Sequence, residues 1–152
     1  MKEEISISLL NNNANSYQLA LDFLNETNKE RKENAISLDW IDKIISKADI
    51  LCIMQESQIV AWLVLYCNNY QTEIAYCAGL RVLESYRRRG FSQGLLDAAI
   101  GLCKKRNFKE LTLYCNNPIA MNLYKKNGFE ILYTREEPKF NNEVMSFLRL
   151  QL

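Results

Sequence analysis

The sequence predicts one α/β domain spanning residues 1–152, in which a mixed β-sheet is flanked by helices. Apolar segments typical of strands alternate with segments of helical periodicity, which is the element order of this fold class. A strand–helix–strand unit over residues 74–115 predicts a right-handed crossover between parallel strands. A chain of this length buries about 68–70% of its unfolded surface, enough for a core without disulfides or metals.

The composition limits the possible partners. Hydrophobic residues make up 48% of the chain and charged residues 24%, and the formal net charge is +1. Nucleic acids and membrane surfaces attract strongly basic proteins, so this balance argues against either as the main partner. The sequence also lacks a long apolar segment of the kind that forms a secretory signal or a membrane span, so we expect a cytoplasmic protein.

The cysteine pattern argues against a metal centre. Five cysteines stand at positions 52, 67, 77, 103 and 115, no pair has C-x-x-C spacing, and the chain has no histidine. A zinc site without these ligands is not expected. Since four of the five cysteines lie in apolar runs, the sequence predicts buried free thiols in a reducing compartment.

The first fifty residues predict one strand and two helices, at 5–10, 16–29 and 37–47. The strand alternates apolar and polar residues. Ser16 and Ser37 are placed as N-caps of the two helices, because a serine hydroxyl can accept a hydrogen bond from the first helical turn. The charged segment 28–34 is predicted to be a solvated loop.

The remaining chain predicts six strands and two helices. The strands are expected at 50–54, 59–67, 74–82, 111–115, 129–133 and 144–150, and the helices at 92–106 and 118–126. The nearly unbroken apolar run 59–67 is typical of a strand buried on both faces. Gly128 stands where a glycine commonly ends a helix.

One turn predicts an anion site. Residues 87–92 read Arg-Arg-Arg-Gly-Phe-Ser, between an apolar strand and a helix. Gly90 can adopt positive φ and admit a phosphate to the backbone. The N–H groups and the positive end of the helix dipole would then favour an anion, a pyrophosphate most of all. Taken alone, the motif fits equally well a charged loop in which glycine starts a helix.

Two motifs follow one another in the sequence, and the first of them contains this turn. The first motif is Leu80-x-Val82 followed by Tyr86-Arg87-x-x-Gly90-x-Ser92-x-x-Leu95-Leu96, and the second is Leu111-x-Leu113 followed by Asn117-Pro118-x-Ala120-x-x-Leu123-Tyr124-x-Lys126-x-Gly128-Phe129. Together they resemble the GNAT superfamily of acetyl-CoA-dependent N-acetyltransferases. The resemblance implies a splayed mixed sheet that binds acetyl-CoA between its central parallel strands. Ser92 departs from the family pattern, which usually has Gly or Ala there.

The resemblance also implies a set of cofactor-binding residues: Leu80, Arg81, Val82, Arg87, Arg88, Arg89, Gly90, Phe91, Ser92, Gln93 and Asn117. A bulge at residues 80–82 would let the strand pair with the pantetheine arm and aim an N–H at the thioester oxygen. Residues 87–93 would hold the pyrophosphate. Asn117 would steady the pantetheine arm, and its position before Pro118 independently predicts a helix N-cap.

Tyr124 is the candidate catalytic residue. It aligns with the tyrosine that similar enzymes use to protonate the departing CoA thiolate, whereas its helical spacing alone would also suit a core tyrosine. No general base is identified. Tyr76 and Glu73 are weak candidates on the substrate side, and a water chain or an already neutral amine would serve as well. We interpret Cys115 as a thiol that packs in the core. The alternative is that it carries the acetyl group covalently during the reaction.

The function expected is acetyl transfer from acetyl-CoA, without a metal, to a primary amine of a small polar molecule such as an amino sugar. Attack would be direct, in a ternary complex, and the protein would be a monomer or homodimer. The aromatic residues Trp62, Tyr66, Tyr76 and Tyr114 would suit a ring-bearing amine, and the polar loops 28–34 and 138–142 would cover it. The alternatives are acetylation of protein N-termini or lysines, and a non-catalytic acyl-CoA-binding domain.

Overall fold

The computed structural model describes residues 5–10, 14–32, 35–137 and 143–152. Within them the chain forms, in order, β1 (Ile7–Leu9), α1 (Ala14–Arg31), α2 (Trp40–Lys47), β2 (Asp49–Gln55), β3 (Gln58–Tyr66), β4 (Ile74–Val82), a 3₁₀ turn (Glu84–Tyr86), α3 (Phe91–Lys105), β5 (Glu110–Cys115), α4 (Pro118–Lys126), β6 (Glu130–Glu137) and β7 (Glu143–Gln151). None of the helices in these ranges is long and apolar enough to span a membrane.

All seven of these strands join one mixed sheet, in the order β1-β2-β3-β4-β5-β7-β6. The central pair β4 and β5 is parallel, and α3 connects the two strands as the sequence predicts. The other neighbouring strands are antiparallel. The expected α/β class with a mixed sheet is therefore confirmed.

Helices cover both faces of the sheet. On one face, α3 and α4 pack against a cluster that includes Leu63, Leu95 and Leu96. On the other face, α1 and α2 bury a second cluster that includes Phe23 and Ile44. Seven consecutive residues of β3 are buried because this strand lies under helices on both sides, which explains its unbroken apolar run.

The predicted cap of the first helix is wrong. The helix already contains residue 14, so Ser16 lies within it, and its side chain is buried with only 3% of its surface exposed. Ser37 is not the N-cap of the second helix either, since α2 begins at Trp40 and Asp39 occupies the N-cap position. Ser37 instead organises the preceding turn, where its Oγ accepts a hydrogen bond from the Asp39 N–H at 3.3 Å.

The prediction of a loop at residues 28–34 is wrong for residues 28–31, because α1 continues to Arg31. The Asn28 side chain fixes the chain that follows the helix. Its Nδ2 donates to the Ile36 carbonyl at 2.9 Å, and its Oδ1 accepts from the Ile36 N–H at 2.8 Å. Residues 33–34 and the second predicted loop, 138–142, lie outside the described residues.

The sheet opens between β4 and β5. The two strands pair from Ile74↔Glu110 to Cys77↔Leu113, and beyond that point β4 pairs only with β3. Ala78 is an extra residue in this second pairing, between Gly79↔Val64 and Cys77↔Leu65, so it forms a β-bulge. The splay implied by the family resemblance is therefore present, but the bulge lies at Ala78 and not at residues 80–82.

Candidate active site

The carboxyl ends of β4 and β5 bring both sequence motifs to one edge of the sheet. The first strand leads through the 3₁₀ turn into α3, and the second leads through Asn117 into α4. Because the two strands are parallel, both helices begin at the same edge, where the sheet is open. Ligands of open α/β sheets commonly bind in such a position.

The turn before α3 presents unpaired backbone donors. Gly90 is its N-cap residue with φ 82° and ψ 11°, and Arg88 also has a positive φ of 65°. No side chain caps the helix, and the first helical hydrogen bond runs from the Gly94 N–H to the Gly90 carbonyl at 3.0 Å. The N–H groups of residues 91–93 therefore lack helical acceptors, which makes this terminus suitable for a phosphate.

Two predicted cofactor-binding arginines are instead held by a glutamate of α1. Oε1 of Glu30 accepts hydrogen bonds from Arg81 Nη2 at 2.8 Å and from Arg87 Nη2 at 3.3 Å. Oε2 of Glu30 accepts from the Glu84 N–H at 3.1 Å, and Arg87 Nε donates to the Val82 carbonyl at 3.1 Å. Sequence reasoning missed Glu30, whose only signal was its place in a charged segment.

The other side chains of the turn have distinct surroundings. Arg88 is exposed, and the Arg89 guanidinium lies 5.1 Å from the centre of the Tyr86 ring. Phe91 is buried in the core, so only its backbone faces the turn. Leu80 and Val82 likewise pack with the core on the α3 face. These three residues could therefore contribute main-chain groups to a ligand.

Gln93 forms a side-chain bridge between the two helices of the site. Its amide exchanges hydrogen bonds with Asn127 at the end of α4, at 2.8 and 3.0 Å. Gln93 Nε2 also lies 2.8 Å from Asp97 Oδ1. The Gln93 side chain therefore sets the spacing of α3 and α4, while its backbone N–H remains in the open first turn.

Asn117 caps α4, as the sequence predicts. Its Oδ1 accepts hydrogen bonds from the Ile119 N–H at 2.8 Å and from the Ala120 N–H at 3.3 Å, and Pro118 occupies the first helical position. Its Nδ2 makes no hydrogen bond to another described residue. This amide group is thus available to a ligand at the open edge of the sheet.

Tyr124 lies in the core on the α3/α4 side of the sheet, near Cys77, where the pairing of β4 with β5 ends, and near Cys115. The side chain is 6% exposed and packs edge-on against Phe129, with ring centres 5.4 Å apart. Burial raises the pKa of its phenol above the usual value, and the neighbouring thiols of Cys77 and Cys115 raise it further. The hydroxyl makes no hydrogen bond to another described residue, and the phenol stays protonated near neutral pH.

The five cysteines are free and buried, as predicted. Cys115 Sγ donates a hydrogen bond to the Asn117 carbonyl at 3.5 Å. Burial raises the pKa of the Cys115 thiol, so the neutral form dominates near neutral pH. This environment lacks the features that activate a nucleophilic cysteine.

An aromatic floor lies on the α1/α2 face, beside the splay. We define this aromatic floor as Tyr76, Tyr114, Tyr133 and Phe147. The Tyr76 and Tyr114 ring centres are 6.3 Å apart, the Tyr114 and Phe147 centres 4.9 Å, and the Tyr133 and Phe147 centres 5.1 Å. The Arg135 guanidinium lies 5.1 Å from the Tyr114 ring centre, on the same floor.

The other two aromatic residues that the sequence predicts near the acceptor, Trp62 and Tyr66, have different surroundings. Trp62 is 3% exposed and packs between Phe23 and Trp40 in the core, so it cannot contact a substrate. Tyr66 pairs across the strands with Tyr76, and its hydroxyl is buried without a hydrogen-bond partner. Tyr66 therefore carries an unsatisfied polar group close to the aromatic floor.

The structure does not bring Glu73 to the site. This residue lies in the turn before β4, with φ 58°, and pairs with Lys109 at 3.5 Å. A strand rises about 3.3 Å per residue, so Glu73 is roughly 13 Å from the start of the splay at Cys77. Another carboxylate is nearer, since Glu143 Oε2 accepts from Asn116 Nδ2 at 2.7 Å at the end of β5. Among the described residues, no cluster of His, Cys, Asp or Glu side chains could hold a metal ion.

The fold and the family match identify an acyltransferase domain. The chain belongs to the acetyltransferase (GNAT) family, whose sequence model matches residues 15–129. Among curated protein sequences, none matches this chain significantly.

Solved structures have the same fold. Ard1 from Thermoplasma volcanium aligns with a TM-score of 0.83 and 17% identity, over 97% of each chain. Ribosomal-protein-S18-alanine N-acetyltransferase from Escherichia coli aligns with a TM-score of 0.80 and 19% identity, over 97% of this chain and 94% of that chain. A GNAT acetyltransferase from Elizabethkingia anophelis with acetyl-CoA bound aligns with a TM-score of 0.73 and 21% identity, over 99% and 100%. At these identities the similarity concerns the fold alone.

Proposed function

We propose that this protein transfers the acetyl group of acetyl-CoA directly to a primary amine in a ternary complex. The observation that carries the proposal is the convergence of three groups at the open edge of the sheet. They are the uncapped N-terminus of α3, the unpaired Asn117 amide and the protonated Tyr124 phenol. Acyl transfer from a thioester needs a phosphate anchor, a guide for the pantetheine arm and an acid for the leaving thiolate.

The binding roles follow from these donors. The N–H groups of residues 91–93 and the exposed Arg88 would hold the pyrophosphate. Residues 79–82 of β4 have no β5 partner, so their backbone can pair with the amides of the pantetheine arm. Asn117 Nδ2 would donate to the same arm from the β5 side.

The chemistry requires one positioned acid. The amine nitrogen attacks the thioester carbonyl carbon, the C–S bond breaks, and the sulfur leaves as a thiolate. Tyr124 gives its phenolic proton to that sulfur, and the surplus proton of the nitrogen passes through solvent and restores the phenol. Because burial raises the pKa of Tyr124, the phenol stays protonated throughout the neutral range. Acetyl-CoA supplies only the activated acetyl group.

The acceptor that we favour is a small ring-bearing amine such as an amino sugar. The aromatic floor supports this assignment, because Tyr76 and Tyr114 offer ring faces and hydroxyl groups beside the splay. The five free, buried cysteines support a cytoplasmic location, since thiols remain reduced there.

The test measures binding and turnover separately. Acetyl-CoA at a hundred times its dissociation constant should stabilise the folded protein by about 2.7 kcal/mol, seen as a higher Tm. A panel of amino sugars, peptides and lysine derivatives is then assayed for release of free CoA. A Tm shift without CoA release from any amine would favour a non-catalytic acyl-CoA-binding domain, and no Tm shift at millimolar acetyl-CoA would reject the cofactor assignment.

A further inference from the structure

We propose that Ile5 is a positioning residue for the turn that would hold the pyrophosphate of acetyl-CoA. Its side chain lies against the first turn of α3, beside Gly90 and Gly94. Ile5 belongs to residues 5–10, which include β1 and are called the β1 segment below. The β1 segment would support the cofactor site, and bound acetyl-CoA would hold the β1 segment in place. This inference rests on the proposed function and specifies what sets the affinity of that same site.

Gly94 lets the β1 segment approach α3 closely. A Cβ built on Gly94 would lie 3.3 Å from Ile5 Cδ1, 3.5 Å from Ile5 Cγ2 and 3.6 Å from Ile7 Cδ1. A Cβ built on Gly90 would lie 3.8 Å from the same Ile5 Cδ1. Because the Gly94 N–H donates to the Gly90 carbonyl at 3.0 Å, one isoleucine side chain lies beside both residues of the first helical hydrogen bond. Glycine is unfavourable inside a helix, and this close packing accounts for its presence at position 94.

The turn before α3 is thus held from two sides. On the α1 side, Glu30 accepts hydrogen bonds from Arg87 at 3.3 Å and from the Glu84 N–H at 3.1 Å. On the α3 side, Ile5 packs against the core cluster that this helix covers. The N–H groups of residues 91–93 converge on one phosphate only while the start of the helix keeps its position. The apolar support from Ile5 therefore contributes to affinity by preorganising these donors.

The β1 segment is attached weakly enough to respond to a ligand. β1 has three residues, lies at the edge of the sheet and, among the described strands, pairs only with β2, from Ile7↔Ile53 to Leu9↔Leu51. Leu9 is 47% exposed. Short segments with few buried contacts open locally at a lower free-energy cost than unfolding of the whole domain. Since a seated Ile5 favours acetyl-CoA binding, linkage requires that bound acetyl-CoA favours a seated Ile5 by the same factor.

The first measurement is the Kd of the intact protein for acetyl-CoA, determined by titration. Ile5→Ala removes the apolar support of the turn and should raise the Kd about tenfold, a size typical of coupling between two sites. Ile5→Leu keeps the apolar volume and should restore most of the affinity. Leu9→Ala is the matched control, because it shortens a more exposed aliphatic side chain on the same segment, and its Kd should stay within about threefold of the wild-type value.

The second measurement is amide hydrogen exchange of the wild-type protein, followed by mass spectrometry, and it needs no variant. Saturating acetyl-CoA should slow the exchange of residues 5–10 about tenfold, in line with the expected change in Kd. A segment that exchanges by local opening gains no protection from a ligand that opposes only global unfolding. Slower exchange therefore reports the coupling between the β1 segment and the cofactor site, and Ile5→Ala should remove most of it.

Three results would overturn the inference. They are a wild-type Kd in Ile5→Ala, an equal loss of affinity in Ile5→Ala and Leu9→Ala, and unchanged exchange of residues 5–10 when acetyl-CoA is bound. The failure of the proposed function looks different. If the wild-type protein does not bind acetyl-CoA at all, the cofactor assignment fails and this inference fails with it, whereas binding without protection of the β1 segment overturns this inference alone.

Discussion

Glu30 and Arg87 are 57 positions apart in sequence, yet Glu30 Oε1 accepts a hydrogen bond from Arg87 Nη2 at 3.3 Å. The same oxygen binds Arg81 at 2.8 Å. These bonds tie the end of α1, on the acceptor side of the sheet, to the turn that we assign to the pyrophosphate. The predicted phosphate ligand Arg87 therefore acts first as part of the scaffold of that turn.

Glu30→Ala should destabilise the protein and weaken acetyl-CoA binding. The substitution leaves the partly buried Arg81 guanidinium and the more exposed Arg87 guanidinium without their carboxylate, which should lower the free energy of unfolding by about 1–3 kcal/mol, mostly through Arg81. Denaturant unfolding and acetyl-CoA titration measure the two effects. Glu26→Ala is the matched control, since among the described residues Glu26 pairs only with the exposed Lys29, and its loss should change stability by less than about 0.5 kcal/mol. Equal effects of the two variants would contradict the scaffold role.

Gly90→Val should abolish the acetyl-CoA-induced rise in Tm while the protein remains folded. A Cβ at this position has room, with its nearest atom 3.8 Å away, but φ of 82° is unfavourable for a branched residue. The strain should cost about 1–3 kcal/mol and displace the N–H groups of the turn. Gly101→Ala, an exposed helical site with no atom within 4 Å, should keep the full shift. Normal acetyl-CoA binding by Gly90→Val would mean that the phosphate lies elsewhere.

Tyr124→Phe should lower kcat by about 10²- to 10⁴-fold, because it removes the acid that protonates the leaving thiolate. The ring contact with Phe129 is kept, and the lost hydroxyl makes no hydrogen bond within the described part of the chain, so Tm and acetyl-CoA affinity should change little. Tyr70→Phe, at the exposed ring that packs on Phe108, is the control for a generic loss of a phenol. An unchanged kcat in Tyr124→Phe would reduce this tyrosine to a packing residue.

Cys115→Ala should retain acetyl transfer. The Cys115 thiol is neutral near pH 7, because burial raises its pKa, and it donates a hydrogen bond to the Asn117 carbonyl. Intact mass spectrometry of the wild-type protein with acetyl-CoA should show no acetylated enzyme. An acetyl group on Cys115 that disappears when amine is added would establish a covalent intermediate and a ping-pong mechanism.

Elements marked by strong local signals were predictable from the sequence. The strand Ile74–Val82 and the helix Pro118–Lys126 have the predicted bounds. For the helix, Asn117-Pro118 specifies its start and Gly128 follows its end. Ser16 shows the limit of such rules, because a serine that could cap a helix is buried inside one.

Features that depend on distant partners were not predictable. The place of Glu30 is fixed by Arg81 and Arg87, which no local pattern around residue 30 reveals. The bulge at Ala78 arises from the register between β3 and β4, and the sequence of β4 alone does not contain that register. Trp62 could equally have lined a substrate site, and only the packing of α1 and α2 decides that it lies in the core.

The short seam between β4 and β5 has a mechanical consequence. Four residue pairs, from Ile74↔Glu110 to Cys77↔Leu113, join the first four strands of the sheet to the other three. Such a seam can act as a hinge between two half-sheets, and its amide protons should exchange with solvent through local opening before the whole domain unfolds. A pantetheine arm bonded to both sides of the gap would clamp this hinge, so capture of the acyl donor and stiffening of the protein would be one and the same event.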